Sequence, residues 1–382
     1  MSVDMKLVEE KKERVIKTIR REEVDKPPFM FIADGYYPYY AGVDKSEITT
    51  YEKAAEISLK VTEDLQYDTT LMPYMPANLL YAPNIQSLGG GCHVVKDCSR
   101  QICPEKVVIM SPEEYPALIK DPAKFLLETA LPRRLELLGN KSHDEKYNGF
   151  LQVLQEGKKV GQYARSLEAG GMLSIRGGSP IFSPVDYIFD FLRDFSGIMG
   201  DVKRHPEFLR DAGLAILENL KPVIKSMPTA SDRGIFIPMH IPAFLRPKDF
   251  EKVYWPSFKG LVEYMVEQGH NVVCYFEKKY GHLFDYLQEL PKQGVIGIFQ
   301  EDDIRITKEI LGKTMTIAGG LSTTIMQHGT KQECIDHVKG LIDDLCPGGG
   351  YFIAPDTPMM FPVDAKPENL KAIADYIRDY RL

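Results

Sequence analysis

Two residues in this sequence, His240 and Glu277, share one local setting: each closes an apolar run rich in β-branched and aromatic side chains. His240 follows Ile235-Phe236-Ile237-Pro238-Met239, and Glu277 follows Asn271-Val272-Val273-Cys274-Tyr275-Phe276. A run that is apolar on both faces reads as a buried parallel strand, and the first polar residue past its C-terminal end faces the region where ligands bind. At the ends of consecutive strands, an imidazole and a carboxylate come within reach of each other. Together they can act as a general acid, or hold a zinc ion that polarises a substrate oxygen. The competing readings are a core histidine bonded to backbone, and an ordinary salt bridge from Glu277 to Lys278 or Lys279. A carboxylate buried there without compensation is costly, which favours a functional pair.

The surrounding elements must deliver these two groups. Val8, Val15, Ile16 and Ile19 among charges predict an amphipathic helix over about 8–22, lying on the outside of the fold. Phe29 to Ala33 reads as a strand ending in Asp34, Tyr36 and Tyr37. After a helix over Tyr51 to Leu65, a second strand from Asp68 ends in Tyr74 and Met75. His93-Val94-Val95-Lys96 and Lys106-Val107-Val108-Ile109 suggest a hairpin, and a long helical region over about 121–155 breaks near Gly139-Asn140. Met172 to Gly178 gives a third strand that carries Arg176. From Ile235 onward strands and helices alternate regularly, with further strand ends at Gln300, Gly320 and Asp356. Eight strand candidates predict an α/β fold, a (β/α)8 TIM barrel in one domain over 1–382, with an N-terminal helix and a hairpin and helical insertion at about 85–160. A doubly wound open sheet is the runner-up. No Gly-x-Gly-x-x-Gly follows any strand, so a nucleotide fingerprint is absent.

In a barrel the strand ends form one mouth. Asp34, Tyr36, Tyr37, Tyr74, Met75, Arg176, Gln300 and Asp356 are then the substrate-binding candidates around His240 and Glu277, a pocket for a small, partly aromatic or apolar molecule. Several of these residues have a second reading. The tyrosines could be a packed loop, Asp356 a turn carboxylate, and Asp303 an N-cap. Cys274 lies inside its strand, where a core thiol is the default.

A net charge of −7 argues against a nucleic-acid binder, because nothing supplies a phosphate-neutralising stripe. The first residues show no apolar signal core and no run reaches bilayer length, which predicts a cytoplasmic protein without a membrane partner. Six cysteines are sparse for this length, and the spacing of Cys92, Cys98 and Cys103 fits no common zinc module, so reduced structural thiols are expected, with a metal role for that trio the minor reading.

Several stretches resemble the uroporphyrinogen decarboxylase superfamily, and within it the corrinoid-dependent methyltransferase branch. They are Lys12 to Ile19 with Asp25-Lys26-Pro27-Pro28-Phe29, Asp249 to Pro256, Asp303-Ile304 with Lys308 to Gly312, and Ile317-Ala318-Gly319-Gly320. His328-Gly329-Thr330, Gly348 to Ile353 and Ala365 to Leu370 complete the set. The resemblance implies a (β/α)8 barrel. It also separates the branches. The decarboxylases carry an arginine-rich segment after the first strand, where this chain has Ala33-Asp34-Gly35-Tyr36-Tyr37. Thiol-directed methyltransferases carry a His-x-Cys pair where this chain has Cys274-Tyr275-Phe276-Glu277, and a further cysteine near Pro355-Asp356-Thr357. Neither matching position keeps a thiolate.

What remains resembles the substrate-side enzymes, which pass a methyl group from a methoxylated or methylamine-like donor to the cobalt of a separate corrinoid protein. In such relatives the positions of His240 and Glu277 also hold a histidine and a glutamate. The resemblance implies a corrinoid-binding protein as partner, zinc at His240 and Glu277 as an optional cofactor, and is compatible with a homodimer. The alternatives are a lyase of the same superfamily working without cobalamin, and a ligand-binding barrel without catalysis.

Overall fold

The computed structural model describes residues 3–76, 92–93, 101–102, 108–136 and 142–382. Eight parallel staves close a ring. β1 (Met30–Ile32) pairs with β2 (Thr69–Met72), and β4 (Gly234–Met239), β5 (Asn271–Phe276), β6 (Val295–Phe299), β7 (Thr316–Leu321) and β8 (Tyr351–Pro355) form a five-stranded parallel sheet in that order. Between them runs β3 (174–176), a short segment that bridges Thr70 through Ser174 and Gly234 through Arg176. A bridge from Phe29 to Ile353 joins β8 back to β1. The fold is the (β/α)8 barrel expected from the strand rhythm.

Closure sorts the side chains by the two-residue period of a strand. Met30, Ile32, Leu71, Ile175, Phe236, Val273, Tyr275, Ile296, Ile298, Phe352 and Ala354 fill the interior as one cluster, separate from the larger core under the helices. Continuing the inward series by one step reaches Asp34, Glu277, Gln300 and Asp356, and by two steps from Phe236, through Pro238, His240.

The first helix, α1 (Met5–Ile19), is opened by Asp4, whose carboxylate accepts the amides of Lys6 and Leu7. It starts and stops about three residues earlier than the periodicity predicts, because Arg21 takes a left-handed backbone (φ 60°) that ends the helix. Its role also differs from the expected outer position. Val15 and Ile19 belong to the interior cluster, so α1 plugs one end of the ring. Arg14 ties the plug to the barrel. Its guanidinium donates to both oxygens of Asp25 at 2.7 Å and to Asp68 at 2.5 Å, and Asp68 accepts the Phe29 amide at 2.8 Å. Thr316 donates its hydroxyl to the carbonyls of Thr18 and Ile19.

The hairpin forms with a different second strand: Cys92–His93 pairs antiparallel with Gln101–Ile102. Ile109, expected in that strand, is instead a buried loop residue whose amide donates to the Leu192 carbonyl. Residues 94–96 and 106–107 of the expected pair lie outside the described residues, as does the predicted break at Gly139-Asn140. The helical region consists of Tyr115–Lys120, Pro122–Phe125, a π-helical turn Leu126–Ala130, Leu131–Glu136 and the long helix His143–Ala169, the last opened by a Ser142–Glu145 capping box. Among the described residues, Cys274, Cys334 and Cys346 are buried free thiols, and no helix is long and apolar enough to cross a membrane. Cys98 and Cys103 lie outside the described residues.

Arg14→Ala removes the partner of Asp68, which is 2 % exposed. Leaving that charge buried should lower the unfolding free energy by about 3–5 kcal/mol. Urea denaturation measures it; a loss below about 1 kcal/mol would show that the plug does not depend on this ion pair.

Candidate active site

β4 and β5 are adjacent and in register, with Met239 beside Phe276, so the residues that follow them meet at the open end of the barrel. His240 Nε2 lies 3.6 Å from Glu277 Oε1. A third group completes the arrangement: Asp190 receives the other ring nitrogen, with Nδ1 at 2.9 and 3.1 Å from its two oxygens. Asp190 stands on helix Pro184–Phe191, which starts with proline at its first position and places Asp186 and Asp190 four residues apart on one face. Asp186 is fully buried. It accepts the amide of Ile241 at 2.9 Å and that of His240 at 3.4 Å, and the Tyr254 hydroxyl donates to it at 2.5 Å.

These carboxylates decide the charge of the imidazole. Burial disfavours the protonated ring, but the bond to Asp190 and the fields of Asp190, Asp186 and Glu277 outweigh it and raise the His240 pKa to about 9. Burial pushes Glu277 up, with His240 opposing and Asp190 adding to the rise. Burial likewise carries Asp186 to about 7, against the pull of His240. The balance favours the imidazolium form of His240, with Nδ1 bonded to Asp190 and Nε2 facing Glu277 at the mouth. The 3.6 Å separation from Glu277 is too long for a good hydrogen bond, which leaves the Nε2 proton for an arriving acceptor.

Aromatic rings pack beside this imidazole. Phe182 and Phe189 approach the imidazole edge to face, with centroids at 6.2 and 6.3 Å. Phe195 and Phe244 extend this packing outward and remain 46 % and 52 % exposed. The acidic and aromatic residues of helix Pro184–Phe191 were not among the candidates read from strand ends. Their signal in the sequence is the spacing of Asp186 and Asp190 in an otherwise apolar helix.

The other candidates separate into three groups. Asp34, Met75 and Arg176 line a second cavity of about 370 Å³ with Met72, Leu167 and Arg233, and His240 and Glu277 are not in its wall. There Asp34 accepts the Met75 amide at 3.1 Å, and Arg176 donates to the Gly178 carbonyl and covers the Phe236 ring. Gln300 and Asp356 hold the mouth's loops. Gln300 accepts the amide of Lys278, whose backbone is left-handed (φ 71°), just past Glu277, and Asp356 accepts the amide and hydroxyl of Thr323. The tyrosines belong to the core. Tyr36 and Tyr37 begin a short helix and turn away from the mouth, Tyr36 donating to the Ala365 carbonyl and Tyr37 sharing a bond with Tyr67; Tyr74 packs beside Tyr37 at 2 % exposure. A wall of tyrosines at the mouth is not formed: burial selects the packed-loop reading for Tyr36 and Tyr37.

A catalytic zinc takes three protein ligands. His240 Nε2 and Glu277 supply two donors, Asp190 sits behind the ring on Nδ1, and Cys274 is buried within β5 on the face opposite Glu277. Among the described residues no group of three histidine, cysteine, aspartate or glutamate side chains is placed to hold a metal ion. Among the described residues the donor set at the mouth stops at two, one short of the three protein ligands of a catalytic zinc.

Comparison with known proteins places these features. Residues 181–380, which contain Asp186, Asp190, His240 and Glu277, match the family model described as "Uroporphyrinogen decarboxylase (URO-D)". Among solved structures, a methyltransferase from Methanosarcina mazei superposes with a TM-score of 0.59 at 15 % identity, covering 97 % of this chain and 98 % of that one. A B12-independent methionine synthase from Shewanella sp. W3-18-1, in complex with selenomethionine, gives a TM-score of 0.43 at 13 % identity over 92 % of this chain and 98 % of its own. No curated protein matches the sequence.

Because folding raises the His240 pKa from 6.5 to about 9, its protonation stabilises the native state. That contribution is complete below pH 6.5 and is lost as pH rises through about 9. Denaturation between pH 6.5 and 9 should show stability falling in the native protein and a flatter profile in His240→Gln. Equal slopes in the two proteins would contradict the charged imidazole.

Proposed function

This chain belongs to the uroporphyrinogen decarboxylase family, and from that premise we propose that it is an enzyme that moves a methyl group from a small methylated donor to the cobalt of a corrinoid carried by a separate protein. The observation that carries this reading is the placement of His240 at the mouth, with Nδ1 braced by Asp190 and Nε2 facing Glu277, a setting that raises its pKa and favours a proton on Nε2. An alkoxide or phenoxide is a poor leaving group, so the donor oxygen must gain a proton as its bond to the methyl carbon breaks. A positioned general acid contributes roughly 10²–10⁴ in rate. The corrinoid, when its protein is docked, supplies the nucleophile for the methyl carbon.

In this reading Asp190 keeps the proton on Nε2 by occupying Nδ1, and Glu277 stabilises the charged ring and borders the position of the donor oxygen. Phe182 and Phe189 offer a flat apolar surface to an aromatic donor and keep water from the imidazole. The charge of His240 favours an oxygen leaving group over a methylammonium donor. A quaternary or protonated amine departs as a neutral amine without acid help and would meet a like charge. The whole chain acts as one domain in this account, in the cytoplasm, with the corrinoid protein approaching the barrel mouth. A lyase working without cobalamin is the weaker reading: Arg176 and Arg233 lie away from His240, and Arg233 is engaged by Glu168 and Asp232.

The test is single-turnover methylation of cob(I)alamin, followed by absorbance, with a panel of methoxylated aromatics and methylamines. The native protein should methylate the corrinoid from a methoxylated aromatic, and both Glu277→Gln and His240→Gln should remain folded and lose at least about 100-fold in rate. Undiminished rates in these variants, or turnover of uroporphyrinogen in place of methyl transfer, would overturn the assignment.

A further inference from the structure

Beneath the mouth lies a second layer of polar contacts that touches no substrate position. Its centre is Asp186, which is completely enclosed and whose two oxygens are directed at the chain that turns out of β4. One oxygen takes the Ile241 amide at 2.9 Å, and the other takes the Tyr254 hydroxyl at 2.5 Å and faces the His240 amide at 3.4 Å. Tyr254 is itself fully buried, between helices Pro247–Val253 and Trp255–Glu267, with its hydroxyl also 3.6 Å from the Met239 sulfur. On the other side, the Tyr280 hydroxyl donates to the Met239 carbonyl at 3.1 Å. The backbone on both sides of the His240 Cα is thus held by the side chains of Asp186 and Tyr280, and Asp186 in turn by Tyr254.

We infer that Asp186, oriented by Tyr254, is a positioning residue that fixes the turn after β4 and so aims the His240 ring between Asp190 and Glu277. The inference rests on the role proposed for His240, but its geometric content stands apart from turnover. A carboxylate without compensating contacts would not be retained in such a place, since burying it is strongly unfavourable. Here each of its contacts goes either to the His240 turn or to Tyr254. Helix geometry explains why the same element serves both ends of the ring. Asp186 and Asp190, one turn apart, hold the backbone and the Nδ1 of one residue. A shift of the turn by about 1 Å would misalign Nε2, and misplacement on that scale can cost about 100-fold in rate.

The experiment reads ring placement and turnover separately. In the resting protein the Nδ1–H of His240, bonded to Asp190, should give a downfield proton resonance that His240→Gln removes. Asp186→Asn, which keeps the shape but places an amide group where the carboxyl oxygen accepts from Tyr254, should shift or broaden that resonance. It should also lower kcat by about 10–100-fold while KM stays within about twofold. Tyr254→Phe, the gentler change if the asparagine variant does not fold, should do the same to a smaller extent, and Asp186→Glu should not rescue because the longer arm cannot sit in the enclosed site. A folded variant with an unchanged resonance would overturn the inference whatever its activity. Absence of turnover in the native protein would overturn the proposed methyl transfer alone, because the resonance would still report on Asp186.

Discussion

The two-residue alternation of strands in a closed parallel ring governs this protein. Once the ring is joined from Phe29 to Ile353, each inward position must be filled, and the interior is filled with apolar side chains from β1 to β8. The first inward positions past the strand ends are no longer enclosed by neighbouring strands, and there the sequence changes from Tyr275 to Glu277 and from Phe236 through Pro238 to His240. Val15 and Ile19 of α1 close the opposite end. The same packing that stabilises the barrel therefore leaves one open face and delivers ionisable groups to it.

At that face the balance of charge determines the chemistry. Desolvation alone would keep His240 neutral, but Asp190, Asp186 and Glu277 surround it and reverse the outcome. Asp190 acts directly through Nδ1 and Asp186 through the backbone, while Glu277 stands near Nε2 without a direct bond. In the proposed reading this holds a proton in place from behind and leaves it accessible from the front, as a general acid requires. The flanking Phe182 and Phe189 lower the local polarity, which strengthens each of these interactions.

Most of the barrel could be read from the sequence because its strands are continuous apolar runs, and the pair at the mouth followed from the first polar residue after two of them. Position within an element was harder to read. The amphipathic pattern of α1 shows which face is apolar, but not whether that face rests on the outer wall or fills the end of the ring; only closure of the ring makes Val15 and Ile19 interior residues. Tyr36 and Tyr37 follow a strand end and so looked like mouth residues, yet they start a helix whose buried face turns them into the core. Asp186 and Asp190 are hard to read for the opposite reason. They lie on a helix distant in sequence from His240, and their acidity gains meaning only when that helix packs against the end of β4. Gln300 shows the limit of reading by position, since it stands where a ligand-binding group is expected and instead holds the Lys278 amide.

The protonation state of His240 is the point on which the account turns. Nitrogen NMR of the imidazole at neutral pH, assigned by comparison with His240→Gln, measures it directly. The account predicts two proton-bearing ring nitrogens, the imidazolium held between Asp190 and Glu277. A ring with one bare nitrogen at neutral pH would contradict it, because the proton offered at the mouth would then be absent.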